Sequence, residues 1–176
     1  HAGSSCLPAM LYAVEAVMKA LAEKIDPDNV ERWALAGLLH DLDADIVDYK
    51  NGENHLHGPK GVEIIKNEGM GDDEIYHAIC AHNEETGVKI ETKMDRALYA
   101  SDPITGFITA ITLVYPDKKI ASVKVKSVTK RMKEIRFAAG ANREAMLSIE
   151  ELGISFPDFA QIALEAMKSI SEELGL

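Results

Sequence analysis

His40 and Asp41 close an apolar run, Ala34-Leu35-Ala36-Gly37-Leu38-Leu39. An imidazole and a carboxylate at the end of a buried segment are costly unless they are paired or coordinated. A core histidine capped by its neighbour would satisfy that condition, and so would a metal ligand pair. Three further segments favour coordination. His82 falls seven residues after Ile75 and three after Ile79, so it continues an apolar helical stripe. His57 stands at a helix start, four residues before Gly61, while His55 sits in the preceding loop. Asp102 follows Leu98 by four, which puts a carboxylate on the inner face just before Pro103. Mixed nitrogen and oxygen ligands of this kind suit Mn, Fe, Co, Ni or Zn. His77 is five residues from His82, about 140° away around a helix, and is expected at the surface. Asp43 is the candidate for proton handling beside such a metal.

The elements that must position these residues are helical almost throughout. Leu11, Val14, Met18 and Leu21 form one stripe of a first helix, expected over about 8–25. Asp26-Pro27-Asp28 stops it and restarts a second, which runs to about His40 with Trp33, Ala36, Gly37 and His40 on one face. A polar stretch with an Asn51-Gly52 turn leads to a helix over about 56–68, which Gly69-Met70-Gly71 breaks. Asp72 or Asp73 caps the next helix, which ends near His82. Another carries Met94, Leu98 and Tyr99 to Asp102-Pro103. Ile104–Tyr115 has strand propensity but no partner strand, and is read as a buried helix. Two more helices are expected over 142–152 and 156–174. With no repeat or linker, the expectation is one domain over 1–176. Its core motifs lie in about 8–115, and the C-terminal helices of about 116–176 pack on it.

Composition narrows the class. The chain has 176 residues, 47% hydrophobic and 27% charged, as in soluble globular proteins. No uninterrupted apolar run reaches the ~20 residues of a bilayer span, and no signal peptide opens the chain. His1 carries little weight. Cys6 and Cys80 are expected to be free thiols in a reducing compartment, so a cytoplasmic protein is expected. A net charge of -10 argues against binding a nucleic acid polymer. The charge is uneven, however. Residues 118–143 hold nine Lys or Arg and the single acid Glu134, about +8, which leaves about -18 elsewhere. Lys126, Lys130 and Arg131 are therefore candidates for binding an anionic substrate, against the plainer reading of a solvated basic face. Lys60 is not part of a phosphate-binding glycine loop.

Leu38-Leu39-His40-Asp41-Leu42, His57-Gly58, Ala81-His82-Asn83 and Ala100-Ser101-Asp102-Pro103 occur in an order and spacing that resembles the HD superfamily of metal-dependent phosphohydrolases. The resemblance covers most of the chain and is nearest to small bacterial HD hydrolases of uncharacterised substrate. It implies a compact all-α HD-type bundle and a divalent metal ion (Mn, Fe, Co, Ni, Zn or Mg). It implies that His40, Asp41 and Asp102 hold the principal metal, and that His57 and His82 line the site or hold a second one. It also implies a small phosphorylated substrate, a nucleotide among the candidates. The chain departs from the pattern twice. The imidazole usual on the first helix falls near Met10, and the usual His-Asp-Ile-Gly reads His40-Asp41-Leu42-Asp43. The alternative function is therefore a catalytically impaired HD-fold binding or regulatory module.

Overall fold

The computed structural model describes residues 6–176, with side chains from Pro8 onward, so His1 and the Cys6 thiol lie outside the described residues. Among the described residues nine α-helices form and no strand occurs. They are α1 (Cys6–Ile25), α2 (Val30–Leu39), α3 (Pro59–Asn67), α4 (Asp73–Ala81), α5 (Lys93–Val114), α6 (Val125–Met132), α7 (Arg143–Leu147), α8 (Phe156–Ser169) and α9 (Ser171–Leu174).

α5 is the axis of the bundle, packed against α1, α4, α7 and α8. α1 lies across α2 at a close crossing. A Cβ on Gly37 would stand 2.9 Å from the Val14 carbonyl oxygen and 3.0 Å from Met18 Cγ, so only glycine fits there. Trp33, Met18, Leu21, Leu98, Ile104 and Phe159 are fully buried in the common core. Full burial of such a side chain contributes about 1.5–3 kcal/mol. The C-terminal helices close the far side, α8 against α1 and α6.

Helix starts follow the expected chemistry. Asp72 caps α4 by accepting from the Glu74 and Ile75 amides, and it also takes two hydrogen bonds from Arg32, at 2.8 and 3.0 Å. Thr92 and Asp95 form a reciprocal capping box at the start of α5.

α5 runs unbroken through Pro103, where two successive helices met in the sequence reading. Its β-prone second half is helical because burial in the core overrides local propensity, and each threonine hydroxyl is satisfied by an acceptor within the helix. Thr105 bonds the Asp102 carbonyl, Thr109 that of Thr105, and Thr112 that of Ile108. By length and composition α5 alone among the described helices could span a bilayer. Its apolar side chains are instead committed to the core: Leu98, Ile104, Ile108 and Ile111 are completely buried.

The remaining boundaries shift modestly. The expected helix over 56–68 begins at Pro59, after a 3-10 turn over Glu53–Leu56. The 142–152 helix passes from α7 into a 3-10 stretch, and the 156–174 helix breaks between α8 and α9.

Candidate metal centre

His40 and His82 are built alike. Each caps the C-terminal end of a helix, α2 and α4 respectively. In each, the ring Nδ1 reaches the carbonyl three residues back, Gly37 at 2.7 Å for His40 and Ile79 for His82. A carbonyl accepts only, so both rings carry a proton on Nδ1, and Nε2 is the nitrogen left to hold a second proton or a cation. His57 reaches the same state by another route. Its Nδ1 donates to Asp43 Oδ1 at 2.7 Å, again leaving Nε2 as the free face.

The segment holding His57 depends on Gly58, whose φ is +100°. A Cβ there would stand 2.9 Å from the Ile79 carbonyl oxygen. Asn83 ties the same segment to the end of α4 by donating to the Asn54 and His57 carbonyls, at 2.8 and 3.0 Å.

The three Nε2 atoms converge on Asp41. Asp41 Oδ1 lies 3.0 Å from His57 Nε2, 3.6 Å from His40 Nε2 and 3.7 Å from His82 Nε2. Asp102, from α5, places Oδ1 3.4 Å from His40 Nε2. The structure thus brings His40, Asp41, His57, His82 and Asp102 together, across four separate elements. Two overlapping groups form, His40–His82–Asp102 and Asp41–His57–His82, each with ligand atoms within 4.8 Å of one another.

Two observations test whether these residues fit a metal ion. His40 Nε2 is fully buried, and among the described residues it has no aligned hydrogen-bond partner. His57 and His82 point their Nε2 atoms at each other across 3.2 Å. Two nitrogens about 2.1 Å from one ion at a tetrahedral angle lie ~3.4 Å apart. The donor set and its spacing therefore fit a divalent cation.

Electrostatics describe the same cluster without one. Burial disfavours charge on His40, but hydrogen-bonding reach to Asp102 and the charge of Asp41 overcome it and raise its pKa to about 9. Burial is likewise overcome at His57, where Asp41 and Asp43 raise the pKa to about 10. Asp41 is held well below the carboxylate range: burial opposes this, and the His57 and His82 contacts prevail. A cation entering here replaces protons.

Asp43 stands behind the centre rather than in it. Its side chain is 0% exposed, and it spends Oδ1 on His57 and Oδ2 on the Gly58 and Gly61 amides, at 2.7 and 2.8 Å. The expectation of a proton carrier meets a carboxylate with no face open to a substrate. His77 lies outside the cluster, as helical phase predicted. It is half-buried rather than exposed, with Nδ1 2.8 Å from Asp95 Oδ2. His55 is exposed.

Beside the centre opens a pocket of about 450 Å³, whose wall includes Met10, His82, Tyr99, Asp102, Phe107 and Asn142. A larger depression of about 650 Å³ between α1 and α8–α9 contains no imidazole and lies apart from this chemistry. Lys126, Lys130 and Arg131 do not reach the pocket beside the centre. Lys126 and Lys130 are exposed, and Arg131 is bound to Glu134 at 2.6 Å. Lys130 and Arg131 line a separate depression with Tyr115 and Ser127.

Sequence reasoning missed the far wall, formed by Tyr99 on α5 and the turn Ala138–Asn142 ahead of α7. The one signal for it was the small-residue run Ala138-Ala139-Gly140-Ala141 before a good N-cap, Asn142.

Comparison with family models matches residues 11–110 to the HD domain. The chain belongs to the HD-domain family. The HD match spans α1 to α5, includes all five converging residues, and starts one residue after Met10. No curated protein and no solved structure matches the chain. HD-domain membership and the two His/Asp groups support a metal-dependent hydrolase in general terms.

Proposed function

We propose that this HD-domain protein hydrolyses a phosphate ester of small-molecule size at a divalent cation held by His40, Asp41, His82 and Asp102, with His57 completing the set. The observation that carries the reading is the convergence of three Nε2 atoms on two carboxylates, with every Nδ1 already committed to an acceptor. A bound divalent cation supplies Lewis acidity to the phosphoryl oxygen and lowers the pKa of water.

The chain's own residues do the positioning. The Gly37 and Ile79 carbonyls and Asp43 set the three ring tautomers. Asp41 and Asp102 provide the negative charge that balances a cation. The open pocket takes the remainder of the ester. In the overall reaction the water oxygen bonds to phosphorus and the bond to the ester oxygen breaks. A proton ends on the departing alcohol, giving inorganic phosphate. Asp43, expected from sequence to handle that proton, is assigned instead to positioning His57. The phosphate-binding role expected of Lys126, Lys130 and Arg131 is not part of this reading, because none of them lines the pocket.

The net charge of -10 and the half-buried free thiol of Cys80 support a cytoplasmic protein acting on small substrates rather than on a nucleic acid polymer. The test is elemental analysis of purified protein. It is followed by hydrolysis of a panel of phosphomonoesters, read by phosphate release, and of phosphodiesters, read by release of the alcohol, with Mn, Fe, Co, Ni, Zn or Mg added. Asp41→Ala should lose the metal and the activity, while His77→Ala should keep both. Metal bound with no ester cleaved would refute hydrolysis.

Met10 favours a second reading, a binding or regulatory module. A thioether stands on the pocket wall beside His82 and Asp102, where an imidazole would add a metal bond. On that reading Met10→His raises metal affinity and creates turnover in a protein that otherwise has none.

A further inference from the structure

The wall of the pocket beside the centre is short of positive charge. His82 and Asp102 belong both to that wall and to the metal-ligand groups, so an ester whose phosphate sits at the centre must extend its other half into this space. Among the described residues no lysine or arginine lines it.

Of the cations near the wall in sequence, Arg143 and Arg96 are committed elsewhere, and Arg136, exposed two residues before Ala138, does not line the pocket. Arg143 follows the turn that forms the far wall, yet its guanidinium donates to the carbonyls of Arg131, Met132, Glu134, Phe137 and Ala138, at 2.7–3.4 Å. These bonds hold the turn in place, with Ala138 in the left-handed region at φ +43°. Arg96 pairs with Glu151 at 2.7 Å.

What the wall offers is negative or neutral. Asp102 contributes a carboxylate and Tyr99 a hydroxyl, which donates to Glu84 outside the lining. Asn142 spends its side-chain oxygen on the Ala145 amide, which leaves its NH2 group as a donor. Phe107 and Met10 supply apolar surface. At about 450 Å³ the space is within the range of small-molecule pockets. A second or third phosphate placed here would meet like charge with no compensating cation.

We infer that the site selects phosphomonoesters whose other half is an uncharged group of about nucleoside size, and discriminates against the same group carrying a di- or triphosphate. The inference rests on the hydrolase reading for where the phosphate sits. Gly106 offers a clean probe of it. It is exposed on α5, it lines the pocket, and a Cβ there meets nothing within 4 Å. Gly106→Lys adds a cation to the wall, and Gly106→Gln adds similar bulk without charge.

The experiment is equilibrium dialysis of adenosine 5′-monophosphate, 5′-diphosphate and 5′-triphosphate, with Mn in excess over protein and nucleotide. Phosphate release is measured on the same loaded protein. The monophosphate should bind about tenfold more tightly than the triphosphate. Gly106→Lys should narrow that preference about fivefold, the worth of one exposed charge pair, while Gly106→Gln leaves it in place. Equal or tighter triphosphate binding in the unsubstituted protein overturns the inference, and this comparison stands even if the lysine variant does not fold. A preference that moves equally in both variants overturns the charge argument. Absence of phosphate release from every ester, with the monophosphate preference intact, sinks the hydrolase reading and leaves the selectivity standing.

Discussion

Asp43→Asn separates a carboxylate that positions from one that carries protons. In the structure Asp43 accepts three hydrogen bonds, from the Gly58 amide at 2.7 Å, the Gly61 amide at 2.8 Å and His57 Nδ1 at 2.7 Å. Asparagine keeps one oxygen. If that oxygen serves the two amides, as Oδ2 does now, the new NH2 group faces His57 Nδ1, and two donors cannot bond. The ring must then place its proton on Nε2, the atom aimed at Asp41 and His82. One charge-assisted bond is lost outright, so stability should fall by about 1.5–3 kcal/mol. Loss of the correct tautomer should weaken metal binding by about 10- to 100-fold. Urea unfolding of the metal-free protein measures the first effect, and calorimetric titration with metal the second. Turnover should recover at metal concentrations that saturate the weakened site. A variant that binds metal as tightly as the unsubstituted protein, yet loses turnover by more than about 100-fold, would refute positioning and restore Asp43 to proton transfer.

Three other outcomes are expected. With pKa values raised to about 9 at His40 and about 10 at His57, protons are held below those values and compete with metal, so metal affinity should weaken steadily as pH falls from 9 to 6. Titrations in two buffers of different ionisation enthalpy should reveal proton release, and a pH-independent affinity would count against these ligands. Gly58→Ala, at φ +100° and with a Cβ 2.9 Å from the Ile79 oxygen, should cost about 1–3 kcal/mol in urea unfolding, and an unchanged midpoint would contradict the strain. Asp72→Ala should cost about 1 kcal/mol through its capping role, with little from the partly exposed Arg32 pair. The Arg32 hydrogen bond lowers the Asp72 pKa, so this contribution is present above the unfolded carboxylate pKa and is lost as pH falls through the folded value. A deficit equally large in strong acid would show that charge is not involved.

The centre was legible in sequence because helix periodicity reports direction. His40, His82 and Asp102 each continue an apolar stripe, and a polar residue in phase with a core face must point inward. The same reasoning turned His77 away from the cluster but missed Asp95, the buried carboxylate 2.8 Å from its Nδ1. The burial of Asp43 was not legible because an acid in an acidic loop carries no phase. Its burial arises from the Gly58 and Gly61 amides, a contact across 15 and 18 residues that only the fold creates. The basic segment misled for a related reason. Composition counts charges without saying where they are spent, and Arg143 spends its own on five backbone carbonyls.

The two halves of the site meet on α5. Tyr99, Asp102 and Gly106 are spaced at i, i+3 and i+7, so they form one stripe on a helix whose other faces are buried in the core. Asp102 lies at the centre, Tyr99 at the pocket rim and Gly106 on its open wall, all on one rigid element. Ligand geometry and pocket shape are therefore mechanically coupled through α5, and the capping box at Thr92 and Asp95 anchors the start of that helix. Pro103 sits within the stripe and withholds the N–H that would otherwise bond the Tyr99 carbonyl. That local weakness falls between Tyr99 and Gly106, where the two functions join, while the threonine hydroxyls secure the turns that follow. Continuing α5 through Pro103 places Ile104, Ile108 and Ile111 in the core and brings Gly106 and Phe107 into one pocket wall with the Ala138–Asn142 turn, so the residues that shape the space beside the centre are held by the same helix that anchors the bundle.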